Sequence, residues 1–290
     1  MSWRTVVIAN RAKLDLKLNS MAVRGENTTK IHLSEISTII IENTSVSLTA
    51  SLLSELAKRK IKVIFCDETR NPISEMVPYY GAHDTSAKLR QQIAWDENIK
   101  GSVWTEIVSE KIRKQADLLA YLGKQESEML YQYIRELQFR DATNREGHAA
   151  KVYFNALFGM DFARTIEIPV NAALNYGYSI ILSAINREIV SNGYVTQLGL
   201  FHDNMFNQFN LGSDLMEPFR PLVDYKVIEM MPTEFEHDQK MALVDILNQE
   251  ITIDGKKQYV NNAIKIYCKS VFDALCERDV SLIRFYKDEL

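Results

Sequence analysis

The spacing of hydrophobic and polar positions changes partway along the chain. The first 65 residues are dominated by short β-branched and alternating runs. Residues 3–9 (WRTVVIA) and 36–42 (ISTIIIE) are rich in Val, Ile and Thr. Residues 12–18 alternate, with Leu14, Leu16 and Leu18 on one face and Lys13, Asp15 and Lys17 on the other. All three runs predict strands, and Gly25-Glu26-Asn27 predicts a turn between two of them. Residues 46–59 switch to helical spacing, with Leu48, Leu52, Leu53 and Leu56 on one face. The basic run Lys58-Arg59-Lys60 ends that helix, where cations suit its dipole. Residues 61–66 (IKVIFC) return to a strand pattern.

Residues 67–85 hold two prolines, one glycine and no period, which marks a connecting stretch. Beyond it helical spacing takes over. The apolar stripes are Ile99, Val103, Ile107, Ile112 and Leu119 over 97–122, then Met129, Leu130, Tyr133, Ile134 and Leu137 over 126–139. Further helices are predicted over 144–158, 170–191 (with Gly193 as its C-cap) and 260–278. Pro218 and Pro221 make any helix near Ser213 start late or kink. Asp254-Gly255 predicts a hairpin within 250–259. The expected fold class is α+β in two domains. A small β-rich domain covers 1–75, a linker 76–85, and a larger all-α domain 86–290.

Composition narrows the class. The 290 residues are 46% hydrophobic and 25% charged, as in ordinary globular proteins. The 11 Gly and 6 Pro are few, which disfavours linker-dominated or collagen-like chains and suits long helices. Three cysteines without a C-x-x-C pair argue against a disulfide scaffold or a Cys-rich zinc site. No apolar run is long enough to span a bilayer, and the first 30 residues lack the apolar core of a signal peptide. A cytoplasmic location is expected. The final Lys287-Asp288-Glu289-Leu290 reads as an endoplasmic-reticulum retention signal, but without a signal peptide it is taken as coincidence.

The net charge of −4 is unevenly spread. Residues 1–75 hold 11 Lys and Arg against 8 Asp and Glu, so they are net basic, and the remainder is net acidic. Nucleic-acid binding is neither required nor excluded by this balance.

Three local patterns carry candidate chemistry: Asn144-Arg145-Glu146-Gly147-His148 at a helix start, Leu200-Phe201-His202-Asp203 after a glycine-bounded loop, and Asp214-Leu215-Met216-Glu217-Pro218-Phe219-Arg220-Pro221, with Asp224 beyond. Each has an ordinary reading. Thr143-x-x-Glu146 matches a capping box, His202 can be a satisfied histidine, and Asp214 and Glu217 can be solvated carboxylates on one helical face. His148 is two residues from Glu146, so on a helix the two point apart. Taken together, two carboxylates and one imidazole suit a single Mg²⁺ or Mn²⁺ with open positions for water and phosphate oxygens.

The runs NREGHAAKVYFNALFG, LGLFHDN and NLGSDLMEPFRPLVD resemble the CRISPR-associated adaptation integrase family (Cas-one, the first of the Cas proteins), above all its type II branch. The resemblance spans the chain. It implies that Glu146, His202 and Glu217 are the catalytic metal ligands. Glu217 stands where many relatives have Asp. It further implies that Asp214 supports the site, that Arg220 is a phosphate or ion-pair residue, and that Arg145, Lys151 and Arg164 are candidates for DNA phosphate contact. Tyr79, Tyr80, Trp95 and Trp104 are candidates for a wedge that splays DNA ends. The implied activity is metal-dependent strand transfer: the 3′-hydroxyl of a short foreign duplex attacks a phosphodiester of the CRISPR repeat. With water as nucleophile the same site is an endonuclease. The implied partners are double-stranded DNA, a second copy of the chain, the small protein Cas-two in a heterohexamer, and other type II adaptation proteins. The competing readings are a non-catalytic DNA-binding scaffold of that complex and a general metal-dependent nuclease.

Overall fold

The computed structural model describes residues 4–68, 70–79 and 84–287. The N-terminal part holds β1 (Arg4–Ile8), β2 (Lys13–Lys17), β3 (Ser20–Arg24), β4 (Thr28–His32), β5 (Ile36–Ile41), β6 (Ser47–Leu48), helix α1 (Ala50–Lys58), β7 (Lys62–Cys66) and β8 (Pro72–Glu75). They form two four-stranded sheets, in the orders β1-β5-β7-β8 and β4-β3-β2-β6. In the first sheet β1, β5 and β7 are parallel, and β8 closes one edge antiparallel.

The continuous apolar run of β5 follows from its place in that sheet. Every residue from Ile36 to Ile41 is buried. Strand side chains alternate between faces, and here both faces are covered. Ile39 and Ile41 pack with Leu14, Met21, Leu52 and Leu56 in a small N-terminal core. Ile40, with Ile64 and Cys66 of β7, enters the large core of the helical part.

Several N-terminal expectations need correction. Leu18 does not share the buried face of Leu14. It sits at the tip of the β2–β3 hairpin, 91% exposed, with φ of +58°. Helix α1 begins at Ala50, where the Thr49 hydroxyl accepts the Leu52 amide, so Leu48 belongs to β6 instead. Strand β8 lies inside the stretch read as aperiodic. It starts with Pro72, which an edge strand tolerates at its first position. Trp3, Tyr80 and the last three residues of the retention-like ending fall outside the described residues.

The C-terminal part holds α2 (Thr85–Ile93), α3 (Glu97–Tyr121), α4 (Ser127–Glu136), α5 (Arg145–Phe158), α6 (Pro169–Ser191), α7 (Asn210–Leu215), α8 (Arg220–Met230), α9 (His237–Val244), β9 (Glu250–Ile253), β10 (Lys256–Tyr259), α10 (Val260–Glu277) and β11 (Tyr286–Lys287). It is mostly helical but not all-α. The predicted hairpin forms with Asp254 and Gly255 both at positive φ, and β11 adds a third strand to it. Helix α6 ends before Gly193, which takes the left-handed conformation expected of a C-cap. Pro218 falls between α7 and α8, and a short 3-10 turn over Glu217–Phe219 joins them. Helix α3 packs on α4 and α5, and α6 packs on α8, α9 and α10. Among the described residues no helix is long and apolar enough to cross a membrane.

Candidate metal centre

Glu146 stands in the first turn of α5, and the chain reaches that turn by a strained path. Arg140, Asp141 and Asn144 all have positive φ. This turns the Asp141 carboxylate onto the open helix end, where it accepts the amides of Arg145 at 2.6 Å and Glu146 at 3.0 Å. Asp141 is therefore the cap, and the capping-box reading of Thr143 and Glu146 is wrong. The Thr143 hydroxyl is buried without a hydrogen-bond partner. Relieved of any capping duty, the Glu146 side chain turns to Lys111 on α3.

Glu217 meets the same lysine from the other side. The Lys111 ammonium is ion-paired with Glu146 Oε1 and Glu217 Oε2. Two carboxylates carried by separate elements thus lie within about two hydrogen-bond lengths of each other. Arg220 at the start of α8 donates from Nε to Glu217 Oε1 at 2.9 Å. Burial alone would raise the Glu217 pKa, but Arg220 and Lys111 outweigh it and hold the group below the ordinary carboxylate value. Burial likewise opposes the Lys111 charge, and Glu217 and Glu146 overcome it, leaving the lysine above its usual value. Glu217 Oε2 is buried and accepts no well-angled hydrogen bond, so only the neighbouring ammonium compensates it.

His202 approaches from the loop between α6 and α7. Its Nδ1 lies 2.6 Å from Oδ1 of Asp214, which is fully buried. The same carboxylate accepts the amides of Leu200 (2.6 Å), Phe201 (3.2 Å) and His202 (3.2 Å). Asp214 therefore shapes the loop and anchors the ring, which leaves Nε2 as the nitrogen available to a ligand. The bond to Asp214 raises the histidine pKa against the opposing effect of burial, and the charges of Glu217 and Glu146 add to the rise. Phe201 stacks on the buried Trp104 with 4.6 Å between ring centroids, and the His202 ring stands edge-on to the same indole at 5.7 Å. Gly199 is required here, since a Cβ would press on the His202 carbonyl and lie 2.8 Å from Asp214 Oδ2.

A second buried group stands behind the site. Asp224 on α8 accepts from Tyr153 of α5 at 2.9 Å and from Tyr178 of α6. Burial pushes its pKa up to about 6, against the two phenols and Arg220. Tyr178 also lies under the Arg220 guanidinium, 4.6 Å from its ring centroid. One carboxylate thus ties together the helices that carry Glu146 and Arg220.

The remaining candidates are distributed differently. Arg145 is paired with Glu136 at 2.9 Å and lies over the Tyr133 ring. Arg164 donates to the side chains of Asn171 and Asn175, both at 2.6 Å, and flanks Phe154 and Tyr178. Lys151 and His148 are exposed. Trp95 and Trp104 are buried in the core and so unsuited to be wedges, whereas Tyr79 is exposed.

Lys111 and Asp141 were not singled out from sequence. For Lys111 a signal existed: it sits four residues after Ile107, on the apolar stripe of α3, where a charge needs a partner. Among the described residues no three His, Cys, Asp or Glu side chains are gathered closely enough to hold a metal ion as they stand. Lys111 pairs with both carboxylates in this arrangement. The donor set still fits a hard divalent cation: two carboxylates, one of them with a buried oxygen that accepts no hydrogen bond, and an imidazole anchored through Nδ1.

Comparison with known proteins identifies the family and the fold. The solved structure of a casposase bound to integration product superposes with a TM-score of 0.77 at 19% identity, covering 97% of this chain and 93% of that one. A Cas1 protein from Thermotoga maritima gives a TM-score of 0.76 at 17% identity, over 94% of this chain and 97% of that one. The chain is 36% identical over 262 residues to the CRISPR-associated endonuclease Cas1 of Neisseria meningitidis serogroup C (strain 8013), covering 88% of this chain and 86% of that protein. Residues 5–258 match the family model described as CRISPR associated protein Cas1. With that match running through both N-terminal sheets and the segments that carry Glu146, His202 and Glu217, the chain belongs to the Cas1 family.

Proposed function

We propose that this protein is a metal-dependent DNA integrase and endonuclease of CRISPR adaptation, of the type II branch. It inserts short foreign duplexes into the CRISPR array by attack of their 3′-hydroxyls on a phosphodiester. The observation that carries the reading is the convergence of Glu146 and Glu217 on a single point, with His202 close enough for their charges to raise its pKa. A structural role does not call for two acids facing each other beside an anchored imidazole. The casposase likeness supports the same reading, since that protein was solved on the product of an integration.

Mg²⁺ or Mn²⁺ held by Glu146, Glu217 and His202 would supply charge neutralisation and Lewis acidity at the phosphodiester. The chain's own groups prepare the site. Asp141 fixes the first turn of α5 and so the direction of Glu146. Asp214 fixes the imidazole. Arg220 holds Glu217 and sets a guanidinium beside that carboxylate, and fixed positive charge there would stabilise a more anionic transition state. The protein works as a homodimer together with Cas2. Two solved structures that share its fold are Cas6-RT-Cas1–Cas2 complexes, which supports that partner.

The test is strand transfer in vitro. The protein and Cas2 are incubated with a short duplex bearing free 3′-hydroxyls and a supercoiled repeat plasmid, in Mn²⁺ or in EDTA. Metal-dependent joining that Glu146→Ala abolishes is expected. Cleavage without joining would favour a general nuclease, and binding without reaction would favour a non-catalytic scaffold.

A further inference from the structure

Lys111 is the group in this site whose presence a set of metal ligands does not explain. It is buried, its side chain only 7% exposed, and it touches both acids at once. Arg220 adds a second cation on the far side of Glu217. Glu146, Glu217, Lys111 and Arg220 therefore sum to zero charge before any divalent ion arrives. A divalent cation entering between the same carboxylates must displace the ammonium or share the acids with it, at a separation where repulsion in a partly buried site is strong.

We propose that Lys111 is a resident counter-cation that competes with the divalent ion for Glu146 and Glu217. It holds the two acids apposed in the metal-free protein, and it weakens metal binding in the absence of DNA. An incoming phosphodiester brings the negative charge that lets metal and lysine coexist, so metal and DNA load together. Lys111 is in this sense a positioning residue. Its long unbranched stem allows the ammonium to move aside without disturbing α3, as a rigid guanidinium fork would not. This inference rests on the reading of Glu146, His202 and Glu217 as the metal ligands.

The experiment is a Mn²⁺ titration of the full chain without DNA at pH 8, by calorimetry and by the electron paramagnetic resonance signal of free Mn²⁺. Wild type, Lys111→Met, Lys111→Arg and Glu146→Ala are compared, and each is melted with and without Mn²⁺. Lys111→Met is expected to bind Mn²⁺ at least about tenfold more tightly than wild type. It should also melt lower than wild type without metal and gain more from Mn²⁺. Lys111→Arg, which keeps the charge, should stay close to wild type or bind more weakly. Should Lys111→Met fail to fold, Lys111→Gln carries the same comparison. Mn²⁺ binding that Glu146→Ala abolishes but the neutral Lys111 variant leaves unchanged or weakens would overturn the counter-cation role alone. Wild-type binding that Glu146→Ala does not affect would overturn the metal-ligand reading itself.

Discussion

Asp214 accepts from the His202 ring at 2.6 Å through one carboxylate oxygen while its other oxygen accepts the Leu200 amide at the same distance. Loop shape and imidazole orientation therefore depend on one buried acid. Replacing it by Asn keeps the volume but turns one acceptor into a donor that faces backbone N–H groups. Asp214→Asn is expected to lower strand-transfer activity by about 10–100-fold, the usual range for losing the partner of a metal-binding histidine. It should also reduce stability by about 1–3 kcal/mol. Rates on a fixed substrate and a urea melt check both numbers. A variant with full activity would remove Asp214 from any role in orienting the ring.

Gly199 gives a steric version of the same test. A methyl group there would press on the His202 carbonyl and on Asp214. Gly199→Ala should cost activity more than global stability, because the strain falls on a loop that can shift while the helices stay packed. Equal loss in both, or none in either, would contradict this.

The cap of α5 separates two readings of one motif. Asp141→Ala removes the acceptor for the Arg145 and Glu146 amides and should cost about 1–2 kcal/mol of stability. Thr143→Ala, whose hydroxyl bonds nothing, should cost less than about 0.5 kcal/mol. Paired chemical melts decide between them, and the reverse order would restore the capping box.

Asp224 predicts a pH dependence. Its folded pKa of about 6 lies above the ordinary aspartate value of 3.8, so the folded state favours the protonated acid. The fold then loses stability as pH rises from about 4 through about 6, and that loss is complete above it, amounting to roughly 2–3 kcal/mol from this group. Asp224→Asn removes the titration. Its melting temperature should fall less than that of wild type between pH 4.5 and 6.5, and parallel curves would show that Asp224 does not titrate there.

Much of the fold was legible because its signals are local. The β-branched runs became β1, β5 and β7, the stripes became helices, and Gly193 and Asp254-Gly255 took the left-handed conformations their positions called for. Glu146, His202 and Glu217 are proposed through motif resemblance, and the family match bears out that resemblance for the chain as a whole. What escaped depends on distant partners. Strands β8 and β11 are short edge strands held by their neighbours, with little pattern of their own. Asp141 displaced Thr143 as the cap because three residues at positive φ reroute the chain, which no spacing rule anticipates. Lys111 gains its meaning only from two acids far along the chain. Leu18 broke its alternation because a hairpin tip overrode it.

Strand β5 has one further consequence. Its two faces serve separate apolar cores, so it is a party wall rather than an outer wall. Cutting the chain at the connecting segment would strip Ile40 and Ile64 from the helical part and leave both fragments with a bare greasy flank. The β-rich and helical parts are therefore expected to melt in a single transition. Any force that tilts the β-rich part, such as a neighbouring subunit gripping its outer sheet, would be passed through the β5–β7–β8 sheet to α6, which packs on β7 and β8, as rigid-body movement instead of being absorbed by a hinge.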